Sequence, residues 1–184
     1  MNKYILASSN KHKLLEIKYA LPDCHLMSLD ALGYHKEILE SGSTLEENAL
    51  IKARIIFKKY KIDCIADDTG LEVDCLGGKP GVYSARYAGV SCIALNNINK
   101  LLEALSKYKD RRARFRTVIC LKNNQEELLF EGIVEGVIST ELKGLNGFGY
   151  SLPIVKFSGI KTFSSTPNGD MYESAEIIGT KQFN

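Results

Sequence analysis

The sequence predicts an α/β protein, and three observations carry that reading. The apolar run Tyr4-Ile5-Leu6-Ala7 breaks into the polar turn Ser8-Ser9-Asn10-Lys11-His12-Lys13, after which Leu14, Ile17 and Leu21 recur at helical spacing. A second run, Ile62, Cys64, Ile65 and Ala66, reads as a buried strand that ends in Asp67-Asp68-Thr69-Gly70, where the backbone is expected to turn. Residues 113–122 and 127–139 are β-rich and separated by Asn123-Asn124, which predicts an antiparallel pair.

Length and composition bound the answer. A chain of 184 residues, 45% hydrophobic and 25% charged, is expected to fold as one domain over 1–184 with a substantial core. A net charge of +2 gives no argument for a nucleic-acid or membrane surface. Five cysteines, an odd number with no CxxC pair, read as reduced, largely core residues. The N-terminus lacks a charged-then-apolar signal pattern and no apolar run reaches 18 residues, so the expected compartment is the cytoplasm.

The remaining elements come in chain order. Pro22-Asp23 stops the first helix, and residues 24–30 read as a second strand. A polar loop, Gly33 to Gly42, carries Glu37 and Glu40. Thr44 and Glu47 form a capping box for a helix running to about Lys61, with Ala49, Ala53, Ile56 and Tyr60 as its buried stripe. Asn48 and Lys52, four apart on the flank of that stripe, either meet a phosphate or form a solvated edge. Gly77-Gly78-Lys79-Pro80-Gly81 is a dense turn, and Ser91 is expected to cap a helix from Cys92 to Leu105. Gly144 to Tyr150 is a second glycine-rich loop, in which Phe148 and Tyr150 either face a flat ligand or pack inward. A short helix is expected from Met171.

Two stretches carry chemistry. Hydroxyls, an asparagine and lysines at the start of the first helix either bind an anion or merely cap a surface helix. Side chains alternate along a strand, so Asp67 and Asp68 point to opposite faces. One is free to hold a hard cation such as Mg²⁺ or to deprotonate a water, and the other supports it; the bland alternative is a pair of turn-capping residues.

Taken together, Leu6 to Lys13 with Glu16, Glu46 to Ala53, Ala66 to Leu71, Gly77 to Tyr87 and Gly147 to Tyr150 resemble the inosine triphosphate pyrophosphatases in order and approximate spacing. The resemblance spans residues 4 to about 163. Enzymes of this kind hydrolyse non-canonical purine nucleoside triphosphates (ITP, dITP, XTP) to monophosphate and pyrophosphate. The resemblance implies a mixed, twisted sheet with flanking helices, two lobes around a nucleotide cleft, a homodimer and dependence on Mg²⁺. It implies that Ser8, Ser9, Asn10, Lys11, His12 and Lys13 hold the triphosphate, joined by Lys52 and Asn48. Asp68 matches the proton acceptor and metal ligand, and Glu40 the second carboxylate near the metal. Thr69 and Arg86 fall in the matched motifs as substrate contacts, and Phe148, Gly149, Tyr150 and Ser151 line the base.

Two departures bear on specificity. Ser151 stands where the family usually has an aspartate, and residues 171–184 contain neither the His nor the Arg of the family's Ser-His-Arg segment. By this resemblance the phosphate and metal machinery is present, whereas the base-reading machinery is altered or missing. A relaxed-specificity pyrophosphatase and a non-catalytic nucleotide-binding protein are the alternatives.

Overall fold

The computed structural model describes residues 2–140 and the strands at 155–165 and 171–173. The strands are β1 (Lys3–Leu6), β2 (His25–Ser28), β3 (Cys64–Val73), β4 (Pro80–Gly81), β5 (Arg112–Lys122), β6 (Glu127–Ile138), β7 (Val155–Ser165) and β8 (Met171–Glu173). The helices are α1 (Lys11–Ala20), α2 (Leu45–Tyr60) and α3 (Ala94–Ala104). Strand order is β2-β1-β3-β5-β6-β7-β8, with β4 attached to β3. The sheet is mixed: β1 runs parallel to β2 and β3, while β4 is antiparallel to β3. Four residues join β5 to β6, too few for a parallel crossover, so this pair is antiparallel as expected.

The described chain forms two compact units. One holds the residues up to Asp68 together with Thr117–Phe130 and Ser165; the other holds Thr69–Arg116, β6 from Glu131, β7 to Ser164, and β8. In the first, Leu6, Leu26 and Ile65 are buried and Leu14 and Ile17 of α1 pack on them. Burial pushes the Cys64 and Cys120 thiols up to about 12 and about 11, so both stay protonated and inert at neutral pH. In the second, Leu71 and Val73 of β3 pack with Ile98, Leu101 and Leu105. No described helix is long and apolar enough to cross a membrane.

Helix α2 starts where the capping box places it. Thr44 Oγ1 accepts from Glu47 N–H at 3.1 Å. The Glu47 carboxylate reaches back as the capping box expects, accepting from Ser43 N–H at 2.6 Å and Ser43 Oγ at 2.8 Å. Those bonds, the backbone one foremost, hold its carboxyl below the usual carboxylate range.

Several expectations need correction. Strand β3 does not turn at Asp67-Asp68 but continues to Val73, so the two carboxylates sit mid-strand. Gly70 is there for space: a Cβ on it would lie 2.6 Å from the Gly81 carbonyl oxygen of β4. Gly70→Ala is expected to lower stability by about 1–3 kcal/mol, because backbone must shift to admit the methyl; thermal melting checks it. Helix α3 begins at Ala94, not Cys92, whose φ of 51° is left-handed, and its N-cap Ile93 lacks a side-chain cap, so Ser91 has no capping role. Cys92 is exposed rather than in the core. Tyr60 is half-buried and donates its hydroxyl to the Leu32 carbonyl at 3.4 Å. Residues 171–173 form a strand where a helix was expected, since joining the sheet satisfies a backbone that a short isolated helix cannot.

Candidate active site

The site is built where β1 and β3 lie side by side. From β1 the chain crosses to β2 on one flank and then returns to β3 on the other, so the carboxyl ends of β1 and β3 flank a topological switch point. The Ala7 N–H donates to the Ile65 carbonyl at 2.7 Å, which sets Ser8 and the turn after it beside Asp67 and Asp68. In that turn the Asn10 N–H donates to Ser8 Oγ at 3.2 Å, and α1 begins at Lys11.

Right-handed crossovers in opposite directions place α1 and α2 on opposite faces of the sheet. Strand alternation then assigns one acid to each helix. Asp67, on the face where Ile65 meets α1, forms an ion pair with Lys13 Nζ. Asp68 faces α2: Asn48 Nδ2 donates to its Oδ2 at 3.0 Å, and Lys52 Nζ lies 3.4 Å from its Oδ1. The same Lys52 ammonium donates to Glu40 Oε1 at 2.8 Å, tying the 33–44 loop to β3.

Burial decides between the two readings of Asn48 and Lys52. Asn48 is 0% exposed, Lys52 and Asp68 8% and Asp67 4%, so the solvated edge is excluded. Asn48 also accepts the Gly42 N–H on Oδ1 at 2.8 Å, so one amide fixes both the loop and the carboxylate. Gly42 has no room for a side chain: a Cβ would lie 2.6 Å from Asn48 Oδ1. Burial pushes the Asp68 carboxyl above its ordinary value; the Lys52 charge and the Asn48 hydrogen bond pull it back, and nearby Glu40 pushes it further up.

The donor set suits a hard cation. Glu40 and Asp68 both approach Lys52, giving two oxygen donors where one or two carboxylates plus substrate phosphate suffice for Mg²⁺. Among the described residues no group of three or more His, Cys, Asp or Glu forms a dedicated cage. A pocket of about 340 Å³ opens beside the Ser8–Lys11 turn, closed by Leu14, Leu15, Ser28 and Asp30.

Ser8, Ser9, Asn10, Lys13, Glu40, Asn48, Lys52 and Asp68 all fall in the first unit: Asn48, Lys52 and Glu40 meet around Asp68, Lys13 pairs with Asp67, and Ser8, Ser9 and Asn10 line the pocket, with Lys11 and His12 in the first turn of α1. Thr69 comes directly after Asp68 in β3 and belongs to the second unit. Arg86, also there, ends the short 3₁₀ turn Ser84–Arg86, its guanidinium 5.3 Å from the Tyr83 ring centroid. Phe148, Gly149, Tyr150 and Ser151 lie outside the described residues. The pairing of Asp67 with Lys13 was not read from the sequence; strand alternation was the available signal.

A buried pair of acids, each met by a lysine from its own helix beside a hydroxyl-rich turn, is set on the mixed sheet of an α/β protein. The sequence pattern of the Ham1 family matches residues 4–170, and the chain belongs to that family. Among similar proteins, the dITP/XTP pyrophosphatase of Flavobacterium johnsoniae is 47% identical over 167 residues, covering 90% of this chain and 86% of that protein. The dITP/XTP pyrophosphatase of Porphyromonas gingivalis is 48% identical over 152 residues, covering 82% and 78%. The Ham1 protein of Staphylococcus aureus superposes with a TM-score of 0.77 at 42% identity, over 84% of this chain and 80% of that one. The HAM1 protein of Coxiella burnetii gives 0.79 at 40% identity, over 84% and 81%.

Proposed function

We propose that the chain is a nucleoside triphosphate pyrophosphatase that hydrolyses dITP, ITP and XTP to the monophosphate and pyrophosphate, cleansing the nucleotide pool. The observation that carries this reading is the buried Asp68 held by Asn48 and Lys52 opposite Glu40, in a chain of the same family as named dITP/XTP pyrophosphatases. Asp68 positions and deprotonates the water that attacks the α-phosphorus. Lys13 and Lys52, with the Ser8–Lys13 turn, neutralise and hold the phosphates as charge moves onto the leaving pyrophosphate. Glu40 and Asp68 are the residues that would hold Mg²⁺, which when bound supplies further positive charge for the leaving group. Thr69, Arg86 and residues 148–151 complete the substrate contacts. Residues 1–184 act as one catalytic domain, assembled as a homodimer in the cytoplasm.

Pyrophosphate release across standard and deaminated triphosphates, with Mg²⁺ and with chelator, tests this. The expected result is release from dITP, ITP and XTP well above dATP and GTP, lost on chelation. Even activity across the panel would indicate a relaxed base site. Binding without release from any nucleotide would overturn the reading.

A further inference from the structure

We propose that Asp67 is a positioning residue that orients the Lys13 ammonium and acts on the reaction only through it. What Lys13 does in the reaction rests on the pyrophosphatase reading above; what Asp67 does to Lys13 rests on geometry.

A lysine ammonium is a point charge on a flexible four-carbon stem with no direction of its own. Lys13 stands in the first turns of α1, a segment whose neighbours Asn10 and Lys11 are exposed. Asp67 supplies the missing direction from a rigid place: it lies inside β3, 4% exposed, with Oδ2 on Lys13 Nζ. Its other oxygen, Oδ1, is buried and has no hydrogen-bond partner among the described residues. A half-satisfied buried carboxylate is a poor device for stability, and such groups call for an explanation in function. A carboxylate beside a triphosphate site also repels the substrate, so it assists only through the cation it holds. One ammonium N–H given to Asp67 leaves two for phosphate oxygens. Alternation along β3 turns Asp67 away from Glu40, Asn48, Lys52 and Asp68, so it does not share the work of Asp68.

A double-mutant cycle tests the inference. Asp67→Asn is expected to lower kcat for dITP by about 10–100-fold with KM changed by less than about 3-fold, the signature of lost orientation. In a Lys13→Met background the same change is expected to cost less than about 2-fold, because the residue it acts through is gone. The ¹⁵N signal of the Lys13 ammonium, assigned by its absence in Lys13→Met, reports the hold directly. It is expected as a slowly exchanging resonance in the wild type and lost in Asp67→Asn. If Asp67→Asn does not fold, Asp67→Glu, which keeps the charge and lengthens the arm, carries the same comparison. Equal losses of kcat in both backgrounds, or an ammonium signal indifferent to Asp67, overturn the proposal. A wild type that releases no pyrophosphate removes the functional reading instead, and the ammonium signal then decides the positioning alone.

Discussion

Asp68→Asn is expected to lower pyrophosphate release by about 10²–10⁴-fold, the range for losing a general base at a site that also concentrates charge. The same variant is expected to melt no lower than the wild type at pH 7–8. The sign comes from the raised carboxyl pKa, whose largest cause is burial. A carboxyl raised in the folded state contributes stability below its unfolded pKa and loses it as pH rises through the folded pKa. At neutral pH the ionised group therefore costs stability, and an amide of the same shape relieves that cost while keeping the contact with Asn48. Activity, which needs the ionised form, rises with pH through the same raised pKa. Turnover close to wild type in Asp68→Asn contradicts the assignment; a large fall in melting temperature contradicts the electrostatics.

Lys52→Met is expected to remove activity and to destabilise the fold as well, which separates it from Asp68→Asn. Lys52 is the shared partner of Glu40 at 2.8 Å and Asp68 at 3.4 Å. Removing one partner of a buried ion pair costs about 3–5 kcal/mol; Glu40, with a side chain 30% exposed, places this case at the lower end. The loss depends on pH. The Lys52 charge pulls the Asp68 carboxyl down, so without the lysine Asp68 is harder to ionise, and the deficit in melting temperature is greatest at alkaline pH and shrinks as pH falls and Asp68 takes up its proton. A deficit independent of pH would mean that Lys52 matters through packing alone.

The parts legible in the sequence were those with local causes. The β1–turn–α1 unit, the Thr44 cap and the acidic strand each arise from a few neighbouring residues, and each is in place. The family resemblance located Glu40, and the structure brings it to Lys52. What the sequence hid was decided at long range. Asn48 and Lys52 look like a polar flank because Ala49, Ala53 and Ile56 define the apolar stripe, yet all five are buried, since Asp68 twenty residues on receives the polar pair. The Asp67–Lys13 pair spans 54 residues and depends on which helix covers which face of β3. The run Thr69-Gly70 imitates a turn, and only the approach of Gly81 shows why glycine is required.

The central claim is that water attacks the α-phosphorus and pyrophosphate departs intact. Hydrolysis of dITP in ¹⁸O-labelled water, monitored by ³¹P NMR, tests it most directly. The account predicts label in the monophosphate, unlabelled pyrophosphate, and no early diphosphate or orthophosphate. Label in pyrophosphate, or orthophosphate as the first product, would contradict it.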